Sequence, residues 1–168
     1  MRNVHILERE QRLRGTPEAV FGFFADARNL EAITPPLLHF RVVPPEPIVM
    51  DTGTLIRYRL RVHGVPVSWL TEIQEWAPPG RFVDAQLEGP YTLWHHTHTF
   101  AGDGEETIMR DVVRYRIGFG PLGALANALA VRRDLDRIFD YRAARVPALL
   151  DATPRRTREW RVSSAHRE

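Results

Sequence analysis

A chain of 168 residues, 43% apolar and 26% charged, is the size of one globular domain and can bury a substantial core. It has no cysteine and no lysine, all 23 basic residues being arginine, which excludes thiol nucleophiles, disulfides, thiolate metal sites, Schiff bases and the lysine-bearing phosphate loop. The pI near 9.5 belongs to residues 152–168, where five arginines face two glutamates; residues 1–151 hold 18 arginines against 19 acids, so the body is near neutral.

A nucleic-acid partner is therefore not expected, because such a domain carries its basic face on the fold itself. No apolar run approaches the roughly 20 residues of a membrane span, and charge interrupts the first residues before any signal-length apolar stretch. The expected compartment is the cytoplasm. The three serines, Ser68, Ser163 and Ser164, lie outside any nucleophile elbow, leaving His, Asp, Glu, Tyr and Arg for chemistry.

In chain order, residues 4–13 mix alternating and charged side chains and read as a first strand. Thr16 suits a helix N-cap and Pro17 the first helical position; Val20, Phe21, Phe23, Phe24 and Ala27 give the short helix that follows an apolar face. A second short helix over 29–32 stops before Pro35-Pro36. Phe40, Val42 and Pro44 share one face of a strand that ends in the prolines of 44–47. Residues 55–63 alternate, with Ile56, Tyr58, Leu60 and Val62 on one side and arginines on the other, as in a half-buried antiparallel strand. Strands are expected over 67–76, 81–87, 91–100 and 107–119, separated by Gly- and Pro-rich turns.

A long helix opens at Gly120-Pro121 and is expected to end at Pro147. Its apolar stripe runs through Leu125, Leu129, Leu135, Ile138, Phe139, Arg142 and Val146, imperfect across Val131 to Asp134. The domain spans residues 1–151; residues 152–168 form a basic tail without periodicity, expected to be disordered. Strand, two short helices, six strands and one long helix make an α+β domain with helix packed on sheet.

Alternation places Trp94, His96, His98 and Phe100 on one strand face, Met109, Asp111, Val113 and Tyr115 on its neighbour, and Phe82, Asp84 and Gln86 on the strand beyond. The expected hairpin register sets His96 opposite Asp111 and Trp94 opposite Val113. Buried carboxylates need partners, so Asp84, His96, His98 and Asp111 should pair with each other, with Arg142 or with water. Three roles stay open for them: a network that fixes the sheet, a set that orients a ligand's polar end, or general acid–base catalysis by His96 and Asp111. His96-x-His98 is also a metal-ligand spacing, but a metal site needs a third and usually a fourth ligand; no metal and no other cofactor is expected. Arg142 either neutralises a carboxylate or clamps a ligand carboxylate.

Several runs carry a resemblance: Trp69-Leu70-Thr71-Glu72-Ile73, Pro78-Pro79-Gly80-Arg81-Phe82-Val83-Asp84, Gly89-Pro90-Tyr91 and Trp94-His95-His96-Thr97-His98-Thr99-Phe100, with Asp111, Tyr115, Gly120-Pro121-Leu122-Gly123 and Ile138-Phe139-Asp140-Tyr141-Arg142. Over residues 4–150 the chain resembles the START-like (SRPBCC) superfamily, in particular a bacterial subgroup labelled polyketide cyclase/dehydrase-like. That resemblance implies a helix-grip fold, a curved seven-stranded antiparallel sheet around a long C-terminal helix with two short helices after the first strand. It implies a small hydrophobic ligand, lipid-, polyketide- or aromatic-like, held between sheet and helix. The expected ligand-binding set is Tyr58, Trp69, Asp84, Gln86, Trp94, His96, His98, Asp111, Tyr115, Phe139 and Arg142, with His96 and Asp111 as catalytic candidates. The rival functions are a cyclase or dehydratase and an accessory domain acting through protein contacts; a homodimer is left open.

Overall fold

Thr16 caps the first helix as its hydroxyl chemistry allows, in extended conformation (φ −74°, ψ 157°) and accepting the Ala19 N–H at 3.4 Å, with Pro17 at a position where its missing N–H costs nothing. The computed structural model describes residues 4–43, 48–118 and 121–152, apart from the side chains of 121–128. The elements are β1 (His5–Arg14), α1 (Pro17–Phe24), α2 (Asn29–Ala32), a 3-10 turn (Pro36–Leu38), β2 (Arg41–Val43), β3 (Leu55–Val62), β4 (Val65–Ala77), β5 (Arg81–Glu88), β6 (Tyr91–Asp103), β7 (Glu106–Ile117) and α3 (Pro121–Ala152). The expected tail lies outside the described residues apart from its first member, as do Pro44 and the Gly120 start of the long helix.

All seven strands join one antiparallel sheet in the order β1-β7-β6-β5-β4-β3-β2. Two register shifts in β4, at Leu70/Thr71 and Ile73/Glu75, and one in β6, at Tyr91/Leu93, bend the strands into a curved sheet. One face holds Ile56, Tyr58, Ile73, Phe82, Phe100, Met109 and Val113, all buried, and α1 and α3 close over it. The α+β helix-grip architecture expected from the sequence is the one observed.

The β6–β7 register differs from expectation by two residues. His98, not His96, pairs with Asp111, and Trp94 pairs with Tyr115. The two-residue loop is Gly104-Glu105, with Asp103 facing Glu106, and only Gly104 takes positive φ (+66°). Glycine at the first loop position suits a type II′ turn, whereas a loop centred on Asp103-Gly104 needs positive φ at both residues. A shift of two preserves the face of every side chain, so His96 and Asp111 still meet, as diagonal neighbours.

The long helix also departs from expectation, running through Pro147 to Ala152. A proline inside a helix removes one hydrogen bond and clashes with the preceding turn, at about 3 kcal/mol. Two features offset it. Val146 is fully buried, and Leu149 and Leu150 pack against the cluster under α1. The carbonyl orphaned by the proline, that of Ala143 one turn back, accepts the Gln11 side-chain amide of β1 at 2.6 Å. Leu129 is 67% exposed and does not belong to the inward stripe. The inward face follows Val131, Leu135, Ile138, Phe139, Arg142, Val146 and Leu149 at helical spacing, from which Leu129 falls away.

Candidate functional site

Between the concave sheet face and α3 lies a cavity of about 720 Å³. Its size and largely apolar walls are those of a small-molecule site. Phe40, Met50, Ile56, Tyr58, Trp69 and Trp94 give it aromatic and aliphatic walls. Trp69 and Trp94 meet edge to face at 5.1 Å, and the Trp69 indole donates to Thr71 Oγ1 at 3.0 Å, which holds its ring orientation. Asp84, His96, His98 and Arg142, set among Phe82 and Phe139, form its polar end, within electrostatic reach of Tyr58.

Strand pairing builds the polar end. Asp84 on β5 lies opposite His96 on β6, Phe82 opposite His98, and His98 opposite Asp111 on β7. The four titratable groups close a ring of alternating carboxylates and imidazoles. Asp84 Oδ2 lies 2.8 Å from His98 Nε2, and Asp111 Oδ1 lies 2.8 Å from both His98 Nδ1 and His96 Nε2. His96 Nδ1 completes the circuit at 3.6 Å from Asp84 Oδ2. The His98 Nδ1 contact is off the N–H direction, so that buried atom has ion-pair proximity without a hydrogen bond. His98 stacks on Phe82 with centroids 4.0 Å apart and lies 3.7 Å from the His96 ring.

Burial raises both carboxyls, but the histidines outweigh it: His96 and His98, with Arg142, hold Asp84 below the ordinary carboxylate value, and the His96 hydrogen bond with the close approach of His98 holds Asp111 below it as well. The imidazoles diverge. Desolvation pushes His98 down, yet Asp111 and Asp84 more than reverse it and its pKa is raised. For His96, desolvation and the nearby His98 outweigh the carboxylates, and its pKa is lowered. A proton shared by the pair is thus favoured on His98 over His96. Arg142 makes no hydrogen bond or ion pair among the described residues; its guanidinium lies 5.0 Å over the Phe139 ring, and its Nε is buried without a partner.

Of the expected ligand set, Tyr58, Trp69, Asp84, Trp94, His96, His98, Phe139 and Arg142 line the cavity. Gln86, Asp111 and Tyr115 do not. The Gln86 amide clasps the β5–β6 turn, donating to the Tyr91 carbonyl at 2.7 Å and accepting its N–H at 3.3 Å. Gly89 is needed in that turn, since a Cβ there would lie 2.5 Å from Gln86 Oε1. Tyr115 is 2% exposed and stacks on His5. Asp111 lies behind the histidines, against a separate pocket of about 40 Å³.

Sequence reasoning missed His63 and Asp134. At the β3–β4 turn His63 takes the left-handed conformation (φ 50°), and its Nε2 lies 2.7 Å from Asp134 Oδ2 on α3. Both residues border the cavity, so the pair bridges hairpin to helix at its rim. The break in the apolar stripe of α3 at Asp134 was the signal. Asp84, His96 and His98 also offer ligand atoms within 4.8 Å of one another, enough for three positions on a metal ion, though the same atoms already serve the ring.

No protein-family model and no curated protein matches the sequence. Solved structures do match the fold. The Zhui aromatase/cyclase from Streptomyces is similar at TM-score 0.71 and 15% identity, over 89% of this chain and 94% of that one. TTHA0849 from Thermus thermophilus gives 0.67 and 22%, over 86% and 99%. A START superfamily protein from Mycobacterium smegmatis gives 0.64 and 13%, over 86% and 99%. Sheet order, gripping helix and these likenesses agree: the fold is that of the START-like, or SRPBCC, superfamily.

Proposed function

We propose that this protein binds a small, largely apolar molecule in the cavity between sheet and α3, its polar end turned toward Asp84, His96 and Arg142. The observation that carries the reading is the cavity itself, about 720 Å³ with largely apolar, aromatic walls and a cluster of polar groups from Asp84, His96, His98 and Arg142. Lipid-, polyketide- and aromatic-like molecules all fit that description, and the reading requires no metal. Among the described residues no helix is long and apolar enough to cross a membrane. Native mass spectrometry of freshly purified protein, with Nile red uptake as a second readout, tests it. The expected result is a bound small molecule or saturable uptake of the dye, blocked when Ile138→Trp fills the cavity. A chain that carries nothing and takes up no dye would sink the proposal.

A second reading rests on His96, a neutral imidazole facing the cavity with Asp111 at its far nitrogen. That arrangement supports a general base, as a cyclase or dehydratase needs. Turnover of a carbonyl substrate abolished in His96→Ala, with ligand affinity retained, would favour it over simple binding.

A further inference from the structure

The buried charges of the polar end are already balanced. His96 and His98 have ring centroids 3.7 Å apart and side chains only 5% exposed, which disfavours a proton on both rings at once. One proton in the ring, set against two carboxylates, leaves one negative charge. Arg142, which has no ion pair of its own among the described residues, supplies the opposite charge beside the ring.

Charge is satisfied there, but hydrogen bonding is not. Arg142 lines the cavity, donates no hydrogen bond among the described residues, and has its Nε buried and unpartnered. A guanidinium has donors only, so the missing partner is an acceptor. A carboxylate would provide one, but it would bring a third negative charge, and the other arginine that lines the cavity among the described residues, Arg137, is exposed to solvent. Burying an uncompensated charge is strongly unfavourable. A carbonyl oxygen supplies the acceptor without the charge.

We propose that the cavity selects an uncharged molecule bearing a carbonyl-type oxygen, of the ketone, ester, amide or quinone kind, which accepts from Arg142, and that it refuses the carboxylate of the same shape. The proposal deepens the ligand-binding reading above and rests on it. The polar end then has a specific role, in which the acidic ring neutralises Arg142 without occupying its donors.

Three fluorescent probes of one ring system separate the contributions: 2-acetylanthracene, 2-ethylanthracene and anthracene-2-carboxylate, titrated into the full chain near neutral pH. The ketone is expected to bind at least about tenfold tighter than the hydrocarbon, the span of one hydrogen bond from a charged donor, and the carboxylate more weakly than either. Arg142→Met should remove the ketone's advantage over the hydrocarbon, read as the ratio of the two affinities within that variant; if that variant does not fold, the wild-type ranking alone decides. A carboxylate that binds as tightly as the ketone overturns the proposal. So does a ketone no tighter than the hydrocarbon, which would mean that solvent meets the Arg142 donors. If none of the three binds while Nile red is taken up, the carbonyl selectivity fails alone; if Nile red is refused as well, the ligand-binding reading fails with it.

Discussion

Two His–Asp pairs of nearly identical geometry sit in opposite settings. His96 and Asp111 meet at 2.8 Å in the core, with side chains 5% and 9% exposed; His63 and Asp134 meet at 2.7 Å at the cavity rim, 70% and 29% exposed. The core pair has lost its water, so each partner depends on the other and on the remaining two members of the ring. The rim pair keeps solvent as an alternative partner. Distance is therefore a poor guide to what an ion pair contributes, and burial decides it. The core pair specifies the sheet and the polar end of the cavity, and the rim pair holds a hairpin against a helix.

The largest expected effect follows from breaking the core pair. Asp111→Ala and His96→Ala should each cost about 3–5 kcal/mol, since each leaves an uncompensated buried group. The double variant should cost clearly less than the sum, as measured by urea unfolding in a double-mutant cycle. Additive losses would show that the two side chains are not energetically coupled.

The acid response comes next. Asp84 and Asp111 have folded pKa values below the ordinary 3.8, so their stabilising contribution is complete above that value and is lost as the pH falls beneath it. His98, raised, contributes below 6.5 and loses its share as pH rises through its folded value. His96, lowered, contributes above 6.5 and loses its share as pH falls. The two histidines lose their shares in different windows, His98 above 6.5 and His96 below it, so stability peaks near that value and falls further on the acid side as the carboxylates are protonated. Urea midpoints should fall steeply below about pH 4 in the native protein and more gently in Asp111→Asn. An unchanged slope in that variant would mean the ring carries no such linkage.

The rim pair should give the smallest change in stability. His63→Ala is expected to shift unfolding by no more than about 1 kcal/mol. Its effect should fall on release of a bound probe, with a faster off-rate in stopped-flow displacement and little change in midpoint. A loss of stability comparable to the core variants would erase the contrast between the two settings.

Much of this was legible because a strand has period two. The alternation that put Trp94, His96 and His98 on one face and Asp111 on its neighbour survived a register error, since a slip of two residues keeps every face. What alternation does not carry is the choice of turn, and the loop at Gly104-Glu105 moved His98 rather than His96 opposite Asp111. Gln86 and Tyr115 shared the correct face yet do not line the cavity, because one is consumed by a turn and the other lies under the first strand. The rim pair was missed for a different reason: the break in the stripe marks Asp134 alone, and its meeting with a residue 71 positions away depends on the way α3 crosses the hairpin. Pro147 misled because its local penalty is offset by tertiary packing.

That proline has a consequence for the reach of the gripping helix. A regular helix lying on an apolar sheet can slide along its axis by one turn, about 5.4 Å, and still offer a similar stripe of side chains. Pro147 breaks this translational degeneracy, because it leaves one carbonyl, that of Ala143, in need of a donor, and Gln11 of β1 stands where it can supply one. The bond acts as a detent in the sliding coordinate. Its neighbour in sequence is Arg142, so the same detent fixes the depth at which the guanidinium enters the cavity.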